Sequence, residues 1–409
     1  MIVCILGRQP ELGRYELSHV YGRVTPFGPQ AALVPGATSC DVQALGGTQK
    51  AGRVLARLPH ATWGDITSFI RHTYLPLLQR TPGKHTLGIS AYGTTFRPAK
   101  LRQLGLMVKQ QHAKAGGSLR LVPQPAASLN TAISHHNKLG LSPTKHELLL
   151  VQHGGTIIIA ESCGAQNITA LARRDQGRPK RDAFVGMLPP KLALMMVNIG
   201  LGLAGASPRT ASSTSGVSGD HAAPARHSAP SILDPFCGTG VVLQEAYLRG
   251  CTVYGTDLNP KMVDYSQQNL QWLSRTHSHA TGTLGSITAG DATSHTWPYA
   301  PSLTAVVCET YLGQPFSAPP SPAKLRQVHA TCLGITRAFL ANLAPQLTPG
   351  TGLCIAVPAW RTPATGHTER LPLARHLAQL GYQLHTTQPL LYYRADQIVA
   401  RDIYALIKK

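Results

Sequence analysis

Residues 231–250 run Ser231-Ile232-Leu233-Asp234-Pro235-Phe236-Cys237-Gly238-Thr239-Gly240-Val241-Val242-Leu243-Gln244-Glu245-Ala246-Tyr247-Leu248-Arg249-Gly250. An apolar strand ends at Asp234, a tight glycine turn follows at Gly238-Thr239-Gly240, and a helix opens at Val241. Strand, glycine turn and helix in that order make the nucleotide-binding turn of a doubly wound sheet. Glycine lets a ligand approach the backbone, and the strand's carboxyl end faces the binding crevice. Leu243 stands where the dinucleotide spacing would place its third glycine, and the turn lacks the lysine of a phosphate loop. Both departures point away from a dinucleotide and from ATP. Asp234, Phe236, Gly238 and Gly240 are the candidate cofactor-binding residues of this turn.

The strands that follow end in further acids. Thr252 to Gly255 leads to Asp257-Leu258, where a carboxylate can accept two ribose hydroxyls. Gly290-Asp291-Ala292 closes the third element, and Asp291 can accept an adenine amine. Asp257, Leu258, Asp291 and Ala292 thus join the candidate cofactor site. A fourth strand, Ala305 to Cys308, precedes Glu309-Thr310-Tyr311-Leu312. A carboxylate beside an aromatic ring at a strand end suits work on an aromatic amine. The amine lone pair is delocalised into its ring, so an acceptor on N–H and a ring beneath the base favour the reactive geometry. Glu309 and Tyr311 are the candidate catalytic residues. Plainer readings stand beside these: Asp257 or Asn259 as a helix N-cap, Asp291 as a turn residue, Glu309 as a turn residue and Tyr311 as a core tyrosine.

The chain has 409 residues, 43% of them hydrophobic, and a formal net charge of +20. Residues 1–180 hold 21 Lys and Arg against 7 Asp and Glu, whereas 181–409 hold 17 against 11. The excess lies in the first half, where a polyanion would release its condensed counterions on binding. No run approaches the roughly 18 apolar residues of a membrane span, and Met1 to Gly7 reads as a strand, not a signal peptide. The eight cysteines are scattered, with no pair at zinc-site spacing, so no metal is expected and a reducing, cytoplasmic setting is.

The pattern divides into an α/β unit over 1–60, a second α/β unit over 61–175 and a catalytic unit over 176–409. In the first, Ile2 to Leu6 is a strand and Leu12 to Tyr21 a helix. Gly46-Gly47 makes a turn before Lys50. In the second, Thr67 to Arg80 is helical, Thr86 to Ala91 and Leu119 to Val122 are strands, and Gly154-Gly155 joins two apolar strands. Ala99 to Ala115 forms a basic helix carrying Lys100, Arg102, Lys109 and Lys114. With Lys50 these are the candidate RNA-binding residues; a solvated helix face is the plainer reading. Residues 206–230, rich in Ser, Ala, Thr, Gly and Pro, read as a flexible insertion between the helix Pro190 to Leu203 and the strand at Ile232.

Asp-Pro-Phe-Cys-Gly-Thr-Gly at 234–240 resembles the cofactor motif of the THUMP-associated RNA N-methyltransferases, nearest the tRNA guanosine-10 N2-methyltransferases. The stretches 45–50, 87–93, 181–193 and 393–401 resemble that family too, so the resemblance spans most of the chain outside 206–230. It implies an N-terminal α/β domain, a THUMP-like domain that grips tRNA, and a Rossmann-like class I methyltransferase domain using S-adenosyl-L-methionine. Asp234, Gly238 and Gly240 would line the cofactor, Asp257 would hold its ribose and Asp291 its adenine. Pro189, Pro190 and Lys191 would lie near its methionine end. The resemblance also admits a small activator subunit, which no residue here specifies. The family's tetrad is usually Asp-Pro-Pro-Tyr or Asn-Pro-Pro-Tyr; Glu309-Thr310-Tyr311-Leu312 brings the tyrosine one place early and lacks both prolines. The expected activity is methylation of an exocyclic base amine in structured RNA, guanine N2 of tRNA first. A DNA adenine or cytosine N-methyltransferase and a non-catalytic RNA-binding protein are the alternatives.

Overall fold

In the computed structural model, which describes residues 1–182, 188–206, 229–277, 280–316, 318–362, 365–394 and 396–409, two compact units divide between Leu171 and Ala172. Most of the 206–230 insertion falls outside the described residues.

The first unit is built on one eight-stranded sheet. Its strands are β1 (Ile2–Leu6), β2 (Thr25–Pro26), β3 (Ala31–Val34), β4 (Thr48–Pro59), β5 (Lys84–Tyr92), β6 (Ser118–Leu121), β7 (Lys145–His153) and β8 (Thr156–Ala165), in the order β2-β3-β1-β4-β8-β7-β5-β6. The expected boundary at residue 60 is crossed by the ladder of β4 and β8, whose register runs from Lys50 opposite Ala165 to Pro59 opposite Thr156. The helical stretch expected over 67–80 is present from Trp63 to Gln79. It contains one wider π turn, Ile70–Tyr74, just before Pro76. A proline removes a hydrogen bond and crowds the preceding turn, and a π turn relieves both. Pro98–Lys114 is the expected basic helix, with Leu101, Leu104, Gly105 and Val108 on its buried face.

The second unit carries β9 (Ser231–Asp234), β10 (Thr252–Asp257), β11 (Thr283–Ala289), β12 (Ala305–Glu309), β13 (Gly352–Arg361), β14 (Thr368–Arg370), β15 (Tyr382–Leu384), β16 (Leu390–Tyr392) and β17 (Val399–Lys408). The order is β11-β10-β9-β12-β13-β17-β15, with β14 on β13 and β16 on β17. The strands from β11 to β13 run parallel, while β17 is antiparallel to β13. This is a Rossmann-like α/β sheet with an antiparallel edge, the fold class expected for this part of the chain. Parallel strands are covered on both faces, which is why β9, β12 and β13 read as apolar runs, not alternations. The helix Pro190–Leu203 buries 11 of its 14 residues, as a helix apolar on every side must. At Gly200 it passes so close to β12 that an added Cβ would lie 2.8 Å from Val307.

Two connections leave the centre of this sheet in opposite directions. β9 pairs β10 on one side and β12 on the other. The chain proceeds outward through β10 and β11 and then returns to β12. At such a reversal the connecting segments part and leave a crevice at the carboxyl ends of the strands. Here the crevice lies between the ends of β9, at Asp234, and β12, at Glu309.

Candidate active site

The glycine turn after β9 is tied down from three sides. Cys237 donates its amide to the Thr256 carbonyl of β10 at 2.9 Å, and Gly240 closes the turn onto the Cys237 carbonyl at 2.7 Å. The outward carbonyls are held by side chains of the helix Pro260–Thr276. Ser266 Oγ donates to Gly238 O at 2.7 Å and Asn269 Nδ2 to Thr239 O at 2.8 Å. Both side chains are fully buried, so the turn's polar groups have partners before any ligand arrives. Nothing in a one-dimensional reading marks Ser266 and Asn269, since they lie about one helix away in sequence.

Gly238 and Gly240 both have left-handed backbones, with φ of +51° and +81°, a conformation other residues adopt at a cost. Their tasks differ. Gly238 lines a cavity of about 790 Å³, and Gly240 does not. An added Cβ at Gly240 would stand 2.9 Å from Ser266 Oγ, so this position serves close packing of the turn on the next helix. Gly255 does similar work beneath the turn, where a Cβ would lie 2.7 Å from Leu243 and 3.2 Å from Cys237.

The same cavity is lined by Asp234, Phe236, Asp257, Leu258, Asp291, Ala292, Glu309 and Tyr311. Asp234 is buried and accepts the Phe236 amide at 3.1 Å. Burial pushes its carboxyl well above the usual range, and the neighbouring Asp257 and Glu309 carboxylates add to the rise while the Phe236 amide opposes it. Among the described residues no cationic side chain is ion-paired with it. Asp257 accepts the Gly238 amide on one oxygen at 2.8 Å and the Asn259 amide on the other at 2.9 Å. Asn259 is the helix cap, accepting the Lys261 amide at 3.0 Å. Asp291 makes an Asx turn, accepting the amide and hydroxyl of Thr293 on Oδ1 at 2.9 and 2.7 Å; these bonds hold its carboxyl below the usual range. Leu258, 73% exposed, is a large apolar side chain at this cavity.

Thr310 is buried, and both its amide and its hydroxyl donate to the Ala356 carbonyl of β13. With Thr310 pinned to the sheet, Glu309 and Tyr311 on either side of it both reach the cavity, and Tyr311 is 43% exposed, not a core tyrosine. Glu309 Oε1 accepts from Arg401 Nε of β17 at 2.8 Å. Of the 181–193 stretch, Leu188 lines the cavity; Pro189, Pro190 and Lys191 are not among its lining residues, and 183–187 lie outside the described residues.

The five expected RNA-binding residues separate into two groups. Lys50 is 1% exposed, ion-paired with buried Glu147, and donates to Leu129 O at 2.8 Å. The expectation for Lys50 is therefore corrected: its ammonium is a core group, because β4 lies in the middle of the sheet and turns this side chain inward. Arg102, Lys109 and Lys114 are exposed and Lys100 half-buried, its ammonium 4.6 Å from the centre of the Trp63 ring. The Gly46-Gly47 turn does hold an anion, and it is internal: the two amides donate to the two carboxylate oxygens of buried Glu16, each at 2.8 Å.

No family model matches the chain. Over 100 residues it is 39% identical to a tRNA (guanine(10)-N2)-dimethyltransferase of Methanothermobacter thermautotrophicus, a match covering 24% of this chain and 22% of that relative. Among solved structures, TrmN from Thermus thermophilus aligns over 100% of this chain and 99% of its own at 16% identity and a TM-score of 0.49. A magnesium protoporphyrin IX methyltransferase from Synechocystis PCC 6803 aligns over 44% of this chain and 71% of its own, at 18% identity and a TM-score of 0.30. Structural likenesses this distant carry nothing about chemistry. The sequence match, in contrast, is to a relative whose name falls in the subgroup that the 234–240 motif resembles, and it spans less than a quarter of either chain.

Proposed function

We propose that this protein transfers a methyl group from S-adenosyl-L-methionine to an exocyclic base amine of structured RNA, with guanine N2 of tRNA as the first candidate. The observation that carries the reading is that Glu309 and Tyr311 open onto the same cavity as the Gly238 turn, Asp257 and Asp291.

The residues present fit this cofactor. Asp234 is a buried carboxyl without a cationic partner among the described residues, and the ammonium of the methionine moiety supplies one. Asp257 keeps lone pairs for ribose hydroxyls, and its two backbone bonds fix where they point. Asp291 Oδ2 can accept an adenine amine, and exposed Leu258 with Ala292 offers apolar cover for the ring. Bound there, the cofactor supplies an electrophilic methyl. Glu309 accepts an N–H of the target amine and so turns its lone pair toward the methyl, while the Tyr311 ring lies against the base. Catalysis on these terms is mostly positioning. The cations of the helix Pro98–Lys114, namely half-buried Lys100 and exposed Arg102, Lys109 and Lys114, are the proposed phosphate contacts of a THUMP-like RNA-binding unit.

The test is transfer of labelled methyl to tRNA, followed by mass spectrometry of the digested nucleosides. A methylated guanosine is expected, and Glu309→Ala should lower turnover by roughly 10²-fold or more with little change in either affinity. Labelling of duplex DNA in preference to tRNA would overturn the choice of substrate, and absence of cofactor binding in calorimetry would overturn the enzyme.

A further inference from the structure

Glu309 sits at the end of β12 and Arg401 on β17, with β13 between them. In the ladders Glu309 stands opposite Ala356 and Arg401 opposite Pro358. Ala356 and Pro358 are two apart, so they share one face of β13, and the small side chain at 356 leaves room for the pair to meet above it. The contact is a single one, from Arg401 Nε to Glu309 Oε1 at 2.8 Å, with side chains only 9% and 14% exposed. Oε2 has no hydrogen-bond partner among the described residues. Glu309 lines the cavity, whereas Arg401 does not. The next residue, Asp402, points to the other face, where it is ion-paired with Arg370 at 2.6 Å.

We propose that Arg401 is a positioning residue for Glu309: it occupies Oε1 from behind and leaves Oε2 alone to receive an N–H of the acceptor amine. The inference rests on the functional reading above. Its physical logic is conformational. Glutamate has one more rotatable bond than the aspartate or asparagine that the resemblance leads one to expect, and an unheld carboxylate would have to be ordered in each catalytic cycle. A guanidinium fixed in a strand removes that freedom in advance and keeps compensation for a half-buried charge close by. A purely structural ion pair would look the same in a static picture but would behave differently on substitution.

The experiment compares the full-length protein with Arg401→Gln, Arg401→Lys, Glu309→Gln and the double variant Arg401→Gln/Glu309→Gln. Steady-state methyl transfer to tRNA is read alongside calorimetric affinity for S-adenosylhomocysteine and the melting temperature. Arg401→Gln is expected to lower kcat by roughly 10- to 100-fold, the scale of losing one positioned group. KM for tRNA and the calorimetric affinity should stay within about two-fold on the same ground, since Arg401 does not reach the cavity. Arg401→Lys should recover part of the loss and, being milder, also serves if Arg401→Gln fails to fold. In the Glu309→Gln background Arg401→Gln should cost nothing further. An unchanged kcat in Arg401→Gln, or the same fold-loss with and without Glu309, overturns the inference while leaving the functional reading in place. If the unaltered protein transfers no methyl to RNA, the functional reading falls and this inference falls with it.

Discussion

Asp257 and Gly238 are joined across two strands by one hydrogen bond: the carboxylate at the end of β10 accepts the amide of the glycine turn after β9 at 2.8 Å. One carboxylate therefore shapes the turn and faces the cavity at once. Its second oxygen takes the Asn259 amide, so backbone amides orient both oxygens.

Asp257→Ala should therefore weaken cofactor binding in two ways, by losing an acceptor for the ribose and by loosening the turn. A hydrogen bond to a charged group contributes about 1.5–3 kcal/mol, which sets the expected loss at roughly 10- to 100-fold in a calorimetric Kd for S-adenosylmethionine. Binding of tRNA, measured by gel shift, should hardly change. Parallel loss of both affinities would contradict the assignment of cofactor and RNA contacts to different residues.

Gly240 offers a stability test separate from chemistry. Its φ of +81° and the 2.9 Å approach of Ser266 make any side chain unfavourable. A left-handed non-glycine residue costs about 1–2 kcal/mol, and the displaced Ser266 adds to it. Gly240→Ala should lower the denaturant midpoint of the second unit without altering the slope. A variant as stable as the parent would mean the turn relaxes freely.

Lys50 and the exposed lysines of the helix Pro98–Lys114 should respond in opposite ways. Lys50→Ala leaves Glu147 buried and uncompensated, a change that costs about 3–5 kcal/mol, so thermal unfolding should reveal it. Lys109→Gln with Lys114→Gln should leave stability nearly unaltered. If both lysines touch phosphate, the pair should reduce the salt dependence of RNA binding by up to about two in log–log slope. An unaltered slope would remove those two lysines from the RNA surface.

The first unit contains a chain of hydrogen bonds running from Glu161 through His146 and His85 to the Thr81 carbonyl, with links of 2.8, 2.9 and 2.8 Å. Both ends are acceptors, so His146 Nδ1 donates to Glu161 and His85 Nε2 to the Thr81 carbonyl. The bond from His146 holds Glu161 below the usual carboxylate range, Arg53 assisting against the cost of burial. For a carboxylate with a depressed folded value, the stabilisation is present above the unfolded value and is lost as pH falls through the folded one. The melting temperature of the first unit should thus drop as the pH is taken below about 4.3, the ordinary glutamate value. Glu161→Gln should melt lower at neutral pH and show a flatter acid limb. Identical acid limbs for parent and variant would deny Glu161 this role.

Read from sequence alone, the chemistry-bearing turn was legible, because strand, glycine pair and helix are adjacent and each announces itself locally. The four acids at strand ends were legible for the same reason, since a parallel strand buried on both faces is a short apolar run with a visible end. Lys50 was misread because a lysine beside two glycines looks like a phosphate contact until its strand is found in the middle of a sheet. Gly46-Gly47 reads as a turn, but that Glu16 fills it depends on a contact 30 residues away.

What the order of residues determined by itself is the set of local elements and the groups each carries to its end: Asp234, Asp257, Asp291, Glu309. What only the tertiary structure decided is which of those groups share a cavity and what stands behind them. Thr310 pinned to β13, Ser266 and Asn269 under the turn, and Arg401 clasping Glu309 from 92 residues away all arise from strand order and register. These are long-range pairings that cooperative packing selects, and no short stretch of sequence encodes them.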